Sequence, residues 1–459
     1  MAFRILRQNG YSVSADLLIR CIEDCFVNSL DGYMKDSMAV LELFRATQLC
    51  YTDEPLLEEY NLWATHVLKT EFSAGAAYCR KPVEFMASEV HDAMRFPDRA
   101  DLQRLTSKRT IEKFRAESIM ISKTSFRCQN LGNQDMRALA VEDFNFCQSL
   151  HRDEVGYLGR WIEDMKLDKL QFARQKLSYC FFSAAATLFA PELTDARISW
   201  AKNGVLTTIV DDFYDVGGSD EELLNLVQLI DKWDIDWKSD FISEKVEIIF
   251  SAIHNTVREI AERALPRQGR DVTTHIVNIW LDLVKSMWKE TQLSKMNITP
   301  PSYDEYITNA RVSFALGPIV LPALYLVGPE LSEELINSHE FDNLFTFLST
   351  CGRLLNDWRS YERELKEGKL NAMSLLMNSS AQSLAEAEAV EKMKKLIYSY
   401  RVKLQEMVFG EKGGQIPIMC RNLFWNMMKV LHVFYANNDG FTANELMDVA
   451  HAVIKSPIN

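Results

Sequence analysis

Residues 276–288 read Ile-Val-Asn-Ile-Trp-Leu-Asp-Leu-Val-Lys-Ser-Met-Trp. Within them Ile276, Ile279, Trp280, Leu283, Val284, Met287 and Trp288 fall at i, i+3, i+4, i+7, i+8, i+11 and i+12. That spacing lays one wide apolar stripe along an α-helix. The same period runs through Val246, Ile249, Phe250, Ile253, Val257 and Ile260. Alternating strand patterns bounded by Asn-Gly or Asp-Gly turns are missing. The pattern predicts an all-α protein with many helices of about 10–25 residues. No period of about 30–45 residues repeats, which disfavours a solenoid.

Working outward, composition narrows the class. The chain has 459 residues and a net charge of −13, from 51 Lys+Arg against 64 Asp+Glu. That balance excludes a typical nucleic-acid binder and a basic membrane-surface anchor. At 47% hydrophobic and 25% charged residues the chain is globular in character. Nine scattered cysteines without CxxC pairs read as reduced, mostly buried thiols. The eight histidines form no HExxH motif and no Cys/His cluster, so a zinc site is not expected. Residues 1–15 hold two arginines and no long apolar run, and neither a secretory nor a transit segment is visible. The chain opens at Met1-Ala2-Phe3-Arg4-Ile5-Leu6 in mid-pattern, as if an upstream portion were absent.

Residues 312–329 carry no charge and reach the length of a short membrane span. They also contain Gly317, Pro318, Pro322, Gly328 and Pro329. A buried, broken core helix fits them better than a transmembrane one. A polar, turn-rich stretch near residues 127–135 suggests a boundary between a smaller helical domain at 1–136 and a larger one at 137–459. Further breaks are expected at Gly217-Gly218, Pro300-Pro301 and residues 410–414.

Two acidic constellations carry chemistry. In Asp211-Asp212-Phe213-Tyr214-Asp215, the spacings i, i+3 and i, i+4 bring the carboxylates onto one helical face. Gly217-Gly218 should stop that helix with a left-handed cap, which leaves the acids at the negative end of the helix dipole. The run before them, Gly204-Val205-Leu206-Thr207-Thr208-Ile209-Val210, is apolar. Acids at the end of a buried helix suit Mg²⁺, which prefers carboxylate and phosphate oxygens. Taken alone, the motif reads equally as a solvated acidic helix end. In the second constellation Asn356, Ser360 and Glu364 lie at i, i+4 and i+8. They align an amide oxygen, a hydroxyl and a carboxylate, an all-oxygen set for a hard cation. The bland alternative is an exposed polar stripe paired with Arg359 and Arg363.

With the order Asp211-Asp212-x-x-Asp215, then Asn356-Asp357-x-x-Ser360-x-x-x-Glu364, the chain resembles the class I terpene synthases, which carry DDxxD and (N/D)DxxSxxxE. Phe172-Ala173-Arg174-Gln175-Lys176-Leu177, the segment from Asp195 to Gly204, Asp215-Val216-Gly217-Gly218-Ser219 and Leu316-Gly317-Pro318-Ile319-Val320-Leu321-Pro322 are similar to plant ent-kaurene synthases and kaurene-synthase-like diterpene synthases. The likeness runs through the chain and is densest from about 170 to 370.

The resemblance implies the terpenoid-synthase helical bundle as a catalytic α domain, preceded by a partial β-type helical domain. It implies three Mg²⁺ ions (Mn²⁺ as the substitute) bridging both motifs and a prenyl diphosphate. Asp211 and Asp215 would bind two ions and Asn356, Ser360 and Glu364 the third, with Asp212 behind them. Arg353 matches the family's diphosphate-binding arginine; Arg174, Lys176 and Lys369 are further diphosphate candidates. Lys176 stands where many relatives have a second arginine. Phe314, Ile319 and Phe182 are the product-determining candidates, Ile319 through its place after Pro318. Tyr179, Phe181 and Trp358 are further candidate walls. The implied reaction is ionisation of a bicyclic C20 diphosphate such as ent-copalyl diphosphate, then closure to ent-kaurene or a related olefin. No DxDD acid motif for the protonating class of cyclase occurs. The family implies a plastid address, and a cytoplasmic one if Met1 is the native start. No nucleic acid and no obligate protein partner is expected. The rival readings are a prenyl chain-elongating synthase, disfavoured by the Asn/Ser/Glu second motif, and an inactive truncated helical scaffold.

Overall fold

The computed structural model describes residues 1–23, 37–73, 81–113, 134–237, 239–296, 298–300, 302–378, 385–410, 414–436 and 444–458. Among them there is no β-strand, and the elements are helical throughout. The first six helices are α1 (Ala2–Gln8), α2 (Ala15–Ile22), α3 (Ser37–Thr47), α4 (Pro55–Ser73), α5 (Lys81–Arg95) and α6 (Gln103–Lys113). The long α7 (Gln134–Asp164) leads to α8 (Leu177–Thr187), α9 (Thr194–Asp212), α10 (Asp220–Lys232), α11 (Glu244–Gln268) and α12 (Thr273–Lys295). Then come α13 (Tyr303–Ser313), α14 (Leu316–Leu324), the short α15 (Glu333–Ile336) and α16 (His339–Glu367). The chain closes with α17 (Ala372–Met377), α18 (Glu386–Phe409), α19 (Ile418–Phe434) and α20 (Asn444–Ile454). Most of the linker expected near 127–135 lies outside the described residues, and α7 begins at Gln134, just before the proposed 136/137 boundary.

The centre of the molecule is α9. Nearly all its residues from Ala196 to Val210 are buried, so it presents no polar face to water and packs on α8, α11 and α14. Its polar side chains find internal partners. The Arg197 guanidinium pairs with Glu154 at 2.7 Å and donates to the carbonyl of Leu188, and Lys202 meets Glu259 at 2.5 Å. Opposite, α16 packs on α13, α17, α18 and α19. The stripe read from 276–288 is the buried face of α12: Ile276, Trp280, Leu283, Val284 and Met287 are all in the core.

The N-terminal helices α3, α4 and α5 share a small core of their own around Val40, Leu41, Phe44, Leu68 and Val90. They are tied to the larger body by Tyr398 beside Cys50 and by Gln405, whose amide donates to the Cys50 carbonyl at 2.8 Å. The five cysteines with described side chains, Cys50, Cys147, Cys180, Cys351 and Cys420, are free and buried, as expected.

The uncharged 312–329 segment is broken, as its glycines and prolines suggest, just ahead of Gly317-Pro318. The break falls at Ala315, in the left-handed region at φ 68°, and α13 and α14 meet there at 57°. Pro318 occupies the first turn of α14, where its missing N–H costs no helical hydrogen bond. Among the described residues no single helix is long and apolar enough to cross a membrane.

Candidate active site

A cavity of about 740 Å³ opens between α8, α9, α12, the α13–α14 break, α16 and α19. This is the size of a small-molecule site. Charged, hydroxyl-bearing and apolar side chains all line it. Asp211, Asp215 and Arg174 stand on one rim, and Asn356, Arg363, Glu364 and Lys369 on the other, with Arg353 beside them. Tyr179, Phe314, Leu316, Ile319, Leu431 and Phe434 are also on its wall.

The first rim is built by a change of helical pitch. After Asp212 the α-helix gives way to one turn of π-helix, Phe213–Gly217, closed by the Gly218 N–H donating to the Phe213 carbonyl at 2.8 Å. Single π turns of this kind collect at functional sites. The left-handed glycine cap expected here is absent, because Gly218 is extended (φ −112°, ψ 150°). The glycines are needed for space instead. A Cβ on Gly217 would stand 2.5 Å from the Phe172 ring, and one on Gly218 2.8 Å from Leu223. Lys245 donates to the Gly217 carbonyl at 2.9 Å, a cation at the negative helix end. Ser219 and Glu222 form a capping box that starts α10 at once.

The three acids divide into two roles. Asp212 turns inward, 8% exposed, and accepts from the Arg174 backbone N–H at 2.6 Å and its Nε at 2.7 Å. Asp211 and Asp215 keep 48% and 42% of their side-chain surface, and both line the cavity. Their only close cations are Arg174, 2.9 Å from Asp211, and Lys369, 2.7 Å from Asp215, among the described ion pairs. Burial within the rim, and then repulsion from Asp215, push the Asp211 carboxyl up to about 7, against the pull of Arg174 and Lys369. Carboxylates, an amide and a further carboxylate lining one cavity are the donor types a hard divalent cation takes, although no three Asp, Glu, His or Cys side chains among the described residues converge on one point.

The second rim comes from one face of α16. Asn356 reaches the cavity and donates to the Tyr435 hydroxyl at 3.3 Å. Glu364 accepts from Asn371 at 2.8 Å and borders the cavity eight residues on. Between them Ser360 is buried, with its hydroxyl donated to the Asn356 carbonyl at 2.9 Å. It shares the face but is not part of the present wall.

Arg353, one turn earlier, lines the cavity from a buried anchorage. Burial alone would lower its pKa, but Asp357, Tyr306 and Glu290 raise it well above the usual arginine range. Asp357 itself has no exposed surface; burial pushes it up to about 6 despite the arginine beside it. Glu290 of α12 lines the cavity and accepts from Ser313 at 2.6 Å. Neither Tyr306 nor Glu290 was singled out by sequence spacing, since each reaches the site from a separate helix.

Phe314 and Ile319 are on the wall, as is Tyr179. Phe182 lies one layer behind it, fully buried, with its ring 5.9 Å from that of Phe434. Phe181 is also in the core, and Trp358 is covered by the Arg359 guanidinium at 4.2 Å. Lys176 is off the wall, its ammonium 4.8 Å from the centre of the Tyr179 ring. Lys176 is the residue just before α8, whereas Arg174 lies in the preceding loop and is held by Asp212.

The family models described as "Terpene synthase family, metal binding domain" and "Terpene synthase, N-terminal domain" match residues 163–403 and 1–94. "Ent-kaurene synthase-like 1" of Ricinus communis is 56% identical over 458 residues, 100% of this chain and 62% of its own length. "Ent-kaurene synthase TSP4, chloroplastic" of Vitex agnus-castus is 49% identical, over 100% of this chain and 58% of its own. The chain thus spans about three-fifths of the length of these curated relatives. Among solved structures, abietadiene synthase from Abies grandis superposes with a TM-score of 0.89 at 27% identity, over 100% of this chain and 60% of that one. Isoprene synthase from grey poplar, in complex with three Mg²⁺ ions and dimethylallyl-S-thiolodiphosphate, gives 0.85 at 26% identity, over 100% and 83%. The helical architecture, the two oxygen-bearing rims and these matches agree: the chain belongs to the terpene synthase family.

Proposed function

We propose that this chain is a class I diterpene synthase. It ionises a bicyclic C20 diphosphate, ent-copalyl diphosphate in our reading, and closes the cation to ent-kaurene or a related polycyclic olefin. The observation that carries this is the pairing of two oxygen-rich rims, Asp211/Asp215 and Asn356/Glu364, on one cavity that apolar side chains also line. The names of the relatives support the diterpene class, and their "chloroplastic" labels support a plastid address. Their products differ, with ent-kaurene, ent-atiserene and ent-13-epi-manoyl oxide synthases among them, so the skeleton is a finer proposal than the class.

Asp211 and Asp215, with Asn356, Glu364 and Ser360 opposite, would hold Mg²⁺, three ions in our reading, with Mn²⁺ as a substitute. Bound there, the metal supplies Lewis-acid stabilisation of the leaving diphosphate. The chain's own residues do the rest. Arg353, Arg174 and Lys369 offer N–H donors to the oxygens on which charge develops as the C–O bond breaks. Were Arg174 and Lys369 to swing from Asp211 and Asp215 onto the diphosphate, those carboxylates would be freed for cations. Asp212 keeps Arg174 anchored by its backbone during the exchange. Phe314, Tyr179 and Phe434 keep water from the allylic cation and turn aromatic faces towards it. We also place the catalytic domain at 137–459, with a partial N-terminal domain at 1–136.

Incubating the purified chain with Mg²⁺ and either ent-copalyl or geranylgeranyl diphosphate, with product analysis, tests the reading. A polycyclic olefin from the bicyclic substrate is expected, and Asp211→Ala or Glu364→Ala should abolish it with the helical spectrum unchanged. A longer prenyl diphosphate would point to chain elongation. Turnover retained in both variants would sink the assignment.

A further inference from the structure

We propose that Tyr306 and Asp357 are positioning residues that brace Arg353 from behind and aim its free N–H groups at a diphosphate in the cavity. This rests on the reading of the cavity as a diphosphate site. The three side chains form a closed set of contacts. Arg353 Nη2 donates to the Tyr306 hydroxyl at 2.8 Å, and that hydroxyl donates to Asp357 Oδ2 at 2.6 Å. Arg353 Nε lies 2.7 Å from Asp357 Oδ1 as an ion pair. Asp357 and Arg353 come from one helix, one turn apart, while Tyr306 arrives from α13. The i, i+4 pair with Asp357 fixes Arg353 along its own helix. Tyr306 of α13 adds a hydrogen bond from another element, and Glu290 of α12 stands 4.0 Å away.

The brace also reaches the second rim. Asp357 Oδ2 accepts from the Ala372 N–H at 2.8 Å, and its backbone carbonyl accepts from Asn371 Nδ2 at 2.9 Å. The same Asn371 amide donates to Glu364 at 2.8 Å. Asp357 is wholly buried, so it cannot touch a ligand in the cavity; its effect must travel through Arg353 and Asn371. A guanidinium has five N–H donors. One Nη2 N–H is engaged behind by Tyr306, Nε rests against Asp357 as a charge contact without a hydrogen bond, and Nη1 lies 4.0 Å from Glu290 on the cavity side, which leaves Nη donors for a ligand, held in one direction before the ligand arrives. Donors fixed in advance stabilise charge without paying reorganisation at the moment of reaction.

Binding of inorganic pyrophosphate in the presence of Mg²⁺, measured by calorimetry, tests this without turnover. The unaltered chain should bind, and Arg353→Ala should lose most of the affinity. Tyr306→Phe keeps the ring in its buried slot and removes only the hydroxyl. It should weaken pyrophosphate about tenfold, the effect of one hydrogen bond to a charged group, with melting temperature nearly unchanged. Asp357→Asn, of the same shape, should weaken it at least as much, and it carries the test if Tyr306→Phe proves unstable. Unaltered affinity in a folded Tyr306→Phe or Asp357→Asn, with Arg353→Ala impaired, overturns the brace while leaving the functional reading intact. No Mg²⁺-dependent pyrophosphate binding by the unaltered chain overturns both.

Discussion

Asp211 and Asp212 are neighbours with opposite fates, and the difference is one of direction. Asp212 points into the protein and is satisfied by the backbone and side chain of Arg174; Asp211 points into the cavity and faces Asp215. The raised carboxyl of Asp211 carries a sign. Between the ordinary value of 3.8 and about 7 the folded state holds a proton that the unfolded chain has released, so its contribution to stability falls as pH rises through that window. Above it the acid is ionised against its neighbour and costs the fold free energy. Asp211→Asn should therefore raise the metal-free melting temperature at pH 8. The gain should be small, about 1 °C, because water in the cavity screens the repulsion. Mg²⁺ should stabilise the unaltered chain more than this variant. Scanning calorimetry with and without the ion checks both statements, and a variant that melts lower at pH 8 contradicts them. At Gly217 the constraint is steric: Gly217→Ala drives a Cβ against Phe172, two residues from Arg174. A loss of about 1–3 kcal/mol in denaturant unfolding is expected, the usual cost of overpacking.

At the scale of the element, the instructive cases are the two departures from regular helix. The π turn after α9 carries Asp215, and the α13–α14 break carries Phe314 and, four residues past Ala315, Ile319. Glycine and proline announced both breaks in the sequence, but they mark them imprecisely. Pro318 is easily accommodated in a first helical turn, and the strained residue is Ala315, three positions earlier. A left-handed conformation costs a residue with a Cβ roughly 1–2 kcal/mol, while glycine adopts it freely. Ala315→Gly should thus be neutral to stabilising by up to about 1 kcal/mol, after allowing for its more flexible unfolded chain. Ala315→Val should destabilise by about 2 kcal/mol or more, since β-branching makes positive φ worse. Urea titration of the pair reads the difference directly. The reverse order would mean that the bend is not locked at this residue.

The whole molecule contains a buried histidine with no place in the chemistry. His151 of α7 is fully enclosed, edge-on to Phe181, and its pKa falls to about 3. Burial is the main cause, and the positive charges of Arg197 and Arg104 add to it. The unfolded chain takes up a proton here below about 6.5, while the folded one refuses it until about 3, so stability drains away as pH falls between those values. At pH 5 this residue alone should cost about 2 kcal/mol relative to pH 7. His151→Leu should flatten that part of the stability–pH curve, and a curve of unchanged slope would contradict the account.

The sequence by itself determined the all-helical class, through the 3.6-residue period of stretches such as 276–288. It also determined which oxygen-bearing side chains are candidate ligands and in what order they come, because i+3, i+4 and i+8 spacing decides which side chains share a helical face. Tertiary structure alone decided how deep each face lies and what meets it. It set Phe182 and Lys176 off the wall, and brought Tyr306, Glu290 and Asn371 to Arg353 and Glu364. Periodicity describes a helix about its own axis. Which residues from other helices cross that axis depends on how side-chain ridges pack, and no spacing along the chain encodes it.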